Sequence, residues 1–139
     1  MNKTIQNEDL RFGLTSEDST KAIIEKYLGI ALTQSSDKYA IFDYFNDETY
    51  IELKTRRVNH NQYKSLMFGY NKFKKGLEHI ADGKKVYIFF KCSDGLYFWR
   101  LTDKHADEII IGYGGRQDRG KTEIDKVVYV PTKFLTVCN

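Results

Sequence analysis

The sequence has very little proline and cysteine. Its 139 residues include one proline, Pro131, and two cysteines, Cys92 and Cys138. No proline-rich linker, repeat or low-complexity tract divides the chain, which predicts a single domain over residues 1–139. The two cysteines are far apart and form no C-x-x-C pair, so we expect free thiols rather than a zinc or redox motif.

Long apolar runs are also missing. No stretch approaches the roughly 20 apolar residues of a membrane helix, and residues 1–13 lack the apolar centre of a signal peptide. We therefore expect an intracellular protein without a membrane partner. Hydrophobic residues nevertheless make up 41% of the chain and aromatic residues 14%, which is enough to form a buried core.

Acidic residues are absent from residues 54–75, although the chain as a whole has 19 of them against 22 basic residues. This segment carries seven lysines and arginines, which leaves 15 basic and 19 acidic residues elsewhere, a net charge of −4. Such a concentration of positive charge is typical of a surface that binds a polyanion. The alternative is a lysine-rich helix face that is simply solvated.

Hydrophobic periodicity predicts a mixed α/β fold. Ser16 and Gly29 are suitable residues to begin and end a first helix. The second helix is predicted from apolar residues that recur every three or four positions, and the strands from alternating or continuous apolar runs. The predicted elements are a helix over 16–28, strands over 30–33, 39–45 and 49–55, a helix over 61–81, and strands over 85–90, 96–101, 109–111 and 127–130.

Two carboxylates and a lysine are the best candidates for chemistry. On the predicted strand 49–55, Glu52 and Lys54 share one face, and Asp43 lies on the preceding strand across a tight turn. Neighbouring carboxylates repel each other unless a cation joins them, and hard oxygen ligands suit Mg²⁺ or Mn²⁺. Asp47 is an alternative to Asp43, although its place in an Asn-Asp turn favours a structural role.

These residues resemble the signature of the PD-(D/E)XK nuclease superfamily. Phe42-Asp43, a gap of eight residues and Glu52-Leu53-Lys54 follow its pattern, with Phe42 in place of the usual proline. The resemblance implies a restriction-endonuclease-like α+β core of order α-β-β-β-α-β with a mixed sheet, here followed by a β-rich C-terminal extension. It further implies that Asp43, Glu52 and the Leu53 carbonyl bind metal and that Lys54 assists the attacking water. Residues 69–72 and 94–99 are similar, more loosely, to small viral and phage members, which would place the protein in a host cell.

Many members of the superfamily carry a further acid on the first helix, and the resemblance implies one here. Glu17 lies seven and eleven residues before Ile24 and Leu28, so it should share their apolar face. This position favours Glu17 for the catalytic and metal-binding role that the resemblance implies. Glu25 is the alternative and lies roughly 80° away around the helix, at 100° per residue. Either acid could also be a surface residue.

Two segments are candidates for contacts with a nucleic-acid backbone. The first follows the motif strand, and His60 within it is more typical of a surface residue than of a general base. We expect Lys72, Lys74 and Lys75 to lie farther from the active site. The second segment matches the P-loop pattern G-x-x-x-x-G-K-[ST] over residues 115–122, but too little chain follows for a nucleotide-binding fold. The predicted contacts are Arg56, Arg57, Gln62, Lys64, Arg116, Arg119 and Lys121.

Together these features predict a Mg²⁺- or Mn²⁺-dependent endonuclease that hydrolyses phosphodiester bonds in DNA, including structured or branched DNA. One alternative is a nucleic-acid-binding protein that kept the fold without catalysis. A second alternative is an RNase, because nothing in the sequence distinguishes a 2′-hydroxyl. A homodimer is a further expectation, since cutting two strands takes two sites.

Overall fold

The computed structural model describes residues 17–36, 41–104, 106–114 and 125–138. Within the chain, two compact units are distinguished, residues 1–33 and 34–139. The candidate residues Asp43, Glu52 and Lys54 all lie in the second unit, whereas Glu17 and Glu25 lie in the first.

The first unit contains the predicted first helix. Helix α1 (Glu17–Leu28) ends at Gly29, whose φ of +69° is a conformation that residues with a side chain rarely adopt. The Glu25 carboxylate accepts a hydrogen bond of 2.8 Å from the Leu32 backbone N–H beyond the helix end. Ser16, the predicted helix cap, lies outside the described residues.

The remaining elements form two sheets and a second helix. The larger sheet of the second unit has the order β2-β3-β5-β6-β9, and a smaller sheet has the order β4-β8-β7. Two 3₁₀ turns cover Ala106–Glu108 and Thr132–Phe134. In chain order the elements are β1 (Thr33–Gln34), β2 (Tyr44–Phe45), β3 (Thr49–Thr55), β4 (Ser65–Gly69), α2 (Tyr70–Ala81), β5 (Lys85–Cys92), β6 (Gly95–Arg100), β7 (Ile110–Gly114), β8 (Asp125–Pro131) and β9 (Thr136–Val137).

The parallel pair β3-β5 is the centre of the larger sheet. Glu52 is opposite Ile88 in this pair, and the other pairings described within the unit are antiparallel, so the sheet is mixed. Strand β5 is almost continuously apolar because it is covered on both faces, with Val86, Ile88 and Phe90 fully buried on one face and Phe89 on the other. The mixed sheet and two helices confirm the restriction-endonuclease-like α+β class.

The second helix is shorter than the sequence predicted. Residues 65–69, which we assigned to a helix over 61–81, form strand β4, and the helix begins at Tyr70. In this strand Leu66 and Phe68 are buried against β8, whereas Met67 between them is exposed. The alternating burial of these three side chains is that of a strand. The pairing with β8 therefore favours strand over the helix that the apolar spacing predicted.

The predicted strand over 39–45 is described only from residue 41, and its regular part is limited to β2. The predicted strand over 30–33 is likewise displaced to β1. The predicted strands over 49–55 and 85–90 and the hairpin that follows them are confirmed, with shifts of at most two residues.

Helix α2 packs on the core through a glycine. Gly76 is buried, and a Cβ at this position would approach a methyl group of Leu101 to 2.8 Å and one of Val86 to 3.3 Å. The close approach holds the helix against β5, as its predicted apolar stripe requires. Cys92 and Cys138 are buried free thiols, as expected. No helix within the described ranges is long and apolar enough to cross a membrane.

Candidate active site

Glu52 is the only charged side chain that is buried among the described residues of the second unit. It lies in the middle of β3 and is 1% exposed, between the fully buried Ile51 and the half-buried Leu53. Helix α2 covers the face of β3 that carries Tyr50 and Glu52, because residues of the helix contact both side chains. Burying a carboxylate is costly unless cations or hydrogen bonds compensate its charge, so the surroundings of Glu52 define the site.

Two lysines flank the Glu52 carboxylate. The Lys54 Nζ lies 3.2 Å from Oε2, and the Lys72 Nζ lies 3.4 Å from Oε1. Lys72 also donates a hydrogen bond to the Ile41 carbonyl. Oε1 is buried and accepts no hydrogen bond from the described residues, so its contact with Lys72 is electrostatic only.

Asp43 reaches the same site from the edge of β2. Its backbone N–H donates to the Ile51 carbonyl at 2.9 Å, and its Oδ2 accepts a hydrogen bond of 2.8 Å from the Leu53 N–H. This second bond fixes the carboxylate beside β3, next to Glu52. The predicted meeting of Asp43 and Glu52 across a turn is therefore present in the structure. Asp47, the alternative, is exposed in the turn that joins β2 to β3.

The two carboxylates are electrostatically coupled. Burial, together with the negative charge of Asp43 and a hydrogen bond with it, raises the pKa of Glu52 to about 7 from an ordinary value of 4.5. Lys54 and Lys72 act in the opposite direction and only partly compensate. A carboxyl group poised near neutral pH beside a second carboxylate is typical of a functional site.

The residues at this site fit a hard divalent cation. Two adjacent carboxylates and a buried oxygen without a hydrogen-bond donor are an oxygen-rich donor set of the kind that Mg²⁺ prefers. No group of three or more acidic, histidine or cysteine side chains that could hold a metal ion occurs among the described residues. The side chain of Glu17 lies outside the described part of the chain, and its role stays a prediction from the resemblance. The Glu25 carboxylate is paired with Lys21 at 3.5 Å.

Lys72 is the site residue that the sequence misplaced. We expected it two to three turns from the active site, but its ammonium group contacts Glu52. The error follows from the helix boundary: α2 begins at Tyr70, which puts Lys72 in the first turn, where the helix passes over β3. The only sequence feature that pointed to Lys72 was its place in the basic segment 54–75, which also contains Lys74 and Lys75 and so did not distinguish among the three.

The proximal basic residues have different surroundings from one another. The Arg56 guanidinium donates to the Met67 carbonyl at 2.6 Å and to the Thr55 carbonyl at 3.1 Å, which connects the ends of β3 and β4. Arg57, Gln62 and Lys64 are exposed. Lys64 directly precedes β4, so its predicted place in the first turn of the second helix is wrong.

The glycine-rich segment, with Arg116, Arg119 and Lys121, lies outside the described residues. The residues that follow it form strand β8 rather than the long helix that a P-loop requires.

His60 is held by Asp94 in the turn between β5 and β6. Its Nδ1 lies 2.6 Å from Asp94 Oδ2, its backbone N–H donates to Oδ1 at 2.9 Å, and its ring stacks on Tyr97 with centroids 4.0 Å apart. Burial alone would raise the pKa of Asp94, but the hydrogen bonds from His60 outweigh it and lower the pKa. These contacts connect the loop after β3 to the hairpin, which is a sufficient structural role for His60.

Comparison with models of known protein families gives a match over residues 14–137. The family is described as "Phage putative PDDEXK endonuclease". The match includes both helices, strand β3 with Glu52 and Lys54, and Asp43 directly before β2. Neither the curated proteins nor the solved structures gave a match.

Proposed function

The chain belongs to this phage PDDEXK endonuclease family, and from that membership we propose that it is a Mg²⁺-dependent nuclease that cleaves DNA. Family membership supports nuclease activity on a nucleic acid in general. The metal, the choice of DNA and the residue roles below are our proposal. Structured or branched DNA is the substrate that we favour.

The observation that carries the proposal is the buried Glu52 carboxylate beside Asp43. A protein that only binds nucleic acid gains nothing from two adjacent carboxylates near a phosphate, because they repel both each other and the ligand. The repulsion between the two carboxylates is relieved if they bind a cation together when the protein acts on its substrate. We assign Asp43, Glu52 and the Leu53 carbonyl as its ligands, with Mn²⁺ as a substitute for Mg²⁺.

A bound divalent cation would supply Lewis acidity and lower the pKa of a water molecule. The residues of the chain position the other participants. Lys54, 33% exposed in its side chain and two residues from Glu52 on the same face of β3, orients the attacking water. Lys72 approaches from the helix side, where its positive charge stabilises the negative charge that develops on the phosphate.

Both lysines contact Glu52 and partly neutralise its charge. Because a cation at the two carboxylates would replace this neutralisation, the ammonium groups would become available to the substrate. The exposed Arg57 and Lys64 extend the positive surface beyond the site and serve as contacts for the backbone of the substrate.

Cleavage assays with Mg²⁺ or Mn²⁺ test the proposal directly. Supercoiled plasmid, branched DNA, single-stranded DNA and RNA should be compared with EDTA controls. We expect metal-dependent cleavage of DNA that disappears in Asp43→Asn and Glu52→Gln variants with an intact fold. Binding without cleavage of any substrate would favour a non-catalytic protein, and cleavage of RNA alone would favour the RNase alternative.

A further inference from the structure

A cavity of about 260 Å³ opens beside the candidate active site. Its volume is slightly below the roughly 300 Å³ at which sites for drug-sized ligands begin, so it suits a single ring system. Its walls are mainly apolar and aromatic, with one lysine and one histidine. The residues that matter here are Ile41, Phe42, Phe45, Tyr50, Lys75 and His79.

Two residues that line the cavity are close neighbours of the catalytic groups along the chain. Tyr50 lies two residues before Glu52 on the same face of β3, about 7 Å away at a rise of roughly 3.3 Å per residue. Phe42 directly precedes Asp43, and Phe45 is the β2 partner of Tyr50. A group in the cavity would therefore lie about one nucleotide from a phosphate bound at the two carboxylates.

Flat rings form the inner wall of the cavity. The rings of Tyr50 and His79 are stacked, with centroids 3.8 Å apart and planes 12° from parallel, and Phe42 packs against both at 5.5 and 5.8 Å. Burial and the nearby Lys75 lower the pKa of His79, which favours the neutral imidazole. Phe45 and Ile41 also line the cavity and are each 37% exposed, so their side chains are accessible to a ligand.

Positive charge lies where the backbone of a bound strand would pass. Lys72 and Lys75 are three residues apart on α2 and so share one side of the helix, with Lys72 at Glu52 and Lys75 at the cavity. The side chain of Lys75 is 42% exposed, and its Nζ lies as far as 3.9 Å from Oε1 of its acidic neighbour Glu78. This weak ion pair leaves Lys75 accessible to a phosphate.

We propose that this cavity binds an unpaired nucleobase of the substrate, next to the phosphate that is cleaved. The inference rests on the proposed nuclease function and specifies its substrate. Bases stack well on aromatic side chains, whereas a base inside a duplex must first be unpaired and unstacked at a cost of energy. The enzyme therefore selects strands with an unpaired nucleotide, as in single strands and at branch points, over continuous duplex.

Binding measurements in the presence of Ca²⁺, which prevents cleavage, test whether the cavity binds a base. Forked DNA with one unpaired arm should be compared with a blunt duplex and with a series of forks in which each unpaired base in turn is removed. For the wild type we expect one abasic position to weaken binding about tenfold, within the range for base–aromatic stacking. The Phe45→Ala variant should bind the intact fork about tenfold more weakly and lose nothing further at that abasic position.

Matched controls separate the cavity from general effects. Tyr113→Ala removes a ring that is 70% exposed on β7, in the other sheet, and should leave fork binding unchanged. Lys75→Gln should weaken binding more than Lys74→Gln, because Lys74 is exposed and does not line the cavity. Neither Phe45→Ala nor Tyr113→Ala should alter binding to the blunt duplex more than twofold.

Photocrosslinking locates the base without altering the cavity. A fork with 5-iodouracil at the sensitive position, bound to Glu52→Gln protein, should crosslink within the tryptic peptide 39–54, which contains all the aromatic residues of the cavity except His79. Crosslinks elsewhere, together with equal affinities for intact and abasic forks, would overturn the cavity proposal while leaving the nuclease standing. Absence of binding and cleavage for every nucleic acid would overturn both.

Discussion

Replacing Glu52 with glutamine should stabilise the metal-free protein above neutral pH, although the same change should abolish cleavage. The reason is the pKa of Glu52, which burial and Asp43 raise to about 7 in the folded protein from 4.5. Between these two values the folded protein holds a proton that the unfolded chain has released. The free energy of unfolding therefore decreases as the pH rises from 4.5 to 7.

The size of the effect follows from the gap between the two pKa values. At about 1.36 kcal/mol for each pH unit, the gap corresponds to about 3 kcal/mol of stability lost above pH 7 relative to acidic pH. Glutamine has nearly the same shape and no charge to desolvate, so the variant should avoid this loss. About 2 kcal/mol of the difference should develop between pH 5 and pH 7.

Urea unfolding in EDTA at pH 5, 7 and 8.5 measures this difference as the free energy of unfolding. The exposed Glu48 provides a matched control, because Glu48→Gln makes the same chemical change without removing a buried carboxylate. A difference between wild type and Glu52→Gln that stays constant from pH 5 to pH 8.5 would refute the electrostatic argument. Mg²⁺ should stabilise the wild type at pH 8.5 but have little effect on the variant, since a ligand of the folded state stabilises it.

Three further outcomes are expected. Asp43→Asn should abolish plasmid cleavage while Asp47→Asn cleaves normally, and the reverse result would transfer the metal ligand to the turn. Lys72→Gln should reduce the single-turnover cleavage rate by roughly tenfold to a hundredfold, as the loss of a charge that stabilises the transition state would, whereas equal rates for Lys72→Gln and Lys74→Gln would exclude a role for the helix lysine. Gly76→Ala should lower the free energy of unfolding by about 1–3 kcal/mol, because its Cβ would approach a buried leucine methyl group to 2.8 Å; unfolding midpoints in urea measure it.

Local features of the sequence were sufficient for the central part of the site. The alternation along residues 49–55 predicted β3 and put Glu52 and Lys54 on one face, because side chains of a strand alternate whatever it packs against. The turn at Asn46-Asp47 and the spacing from Asp43 then predicted that the two carboxylates lie side by side, although Asp43 directly precedes β2 rather than lying within a strand. The family resemblance rested on these same residues, and the match over residues 14–137 confirms it.

Residues 61–69 show where local features failed. Tyr63, Leu66 and Tyr70 have helical spacing, whereas Leu66, Met67 and Phe68 are consecutive apolar residues without a period of two. Their alternation appears only in the folded structure, where Met67 is exposed between two buried neighbours. The strand exists because β8, some sixty residues later in the chain, supplies its hydrogen-bonding partner. No local pattern contains that information.

The surroundings of Glu52 were likewise decided by the tertiary structure. A strand pattern shows which side chains share a face, but not which element will cover that face. Here α2 crosses over β3, buries Glu52 and brings Lys72 to its carboxylate. The raised pKa of Glu52 and the aromatic cavity beside it arise from that packing, because desolvation and charge contacts depend on distances between elements that the sequence alone does not set.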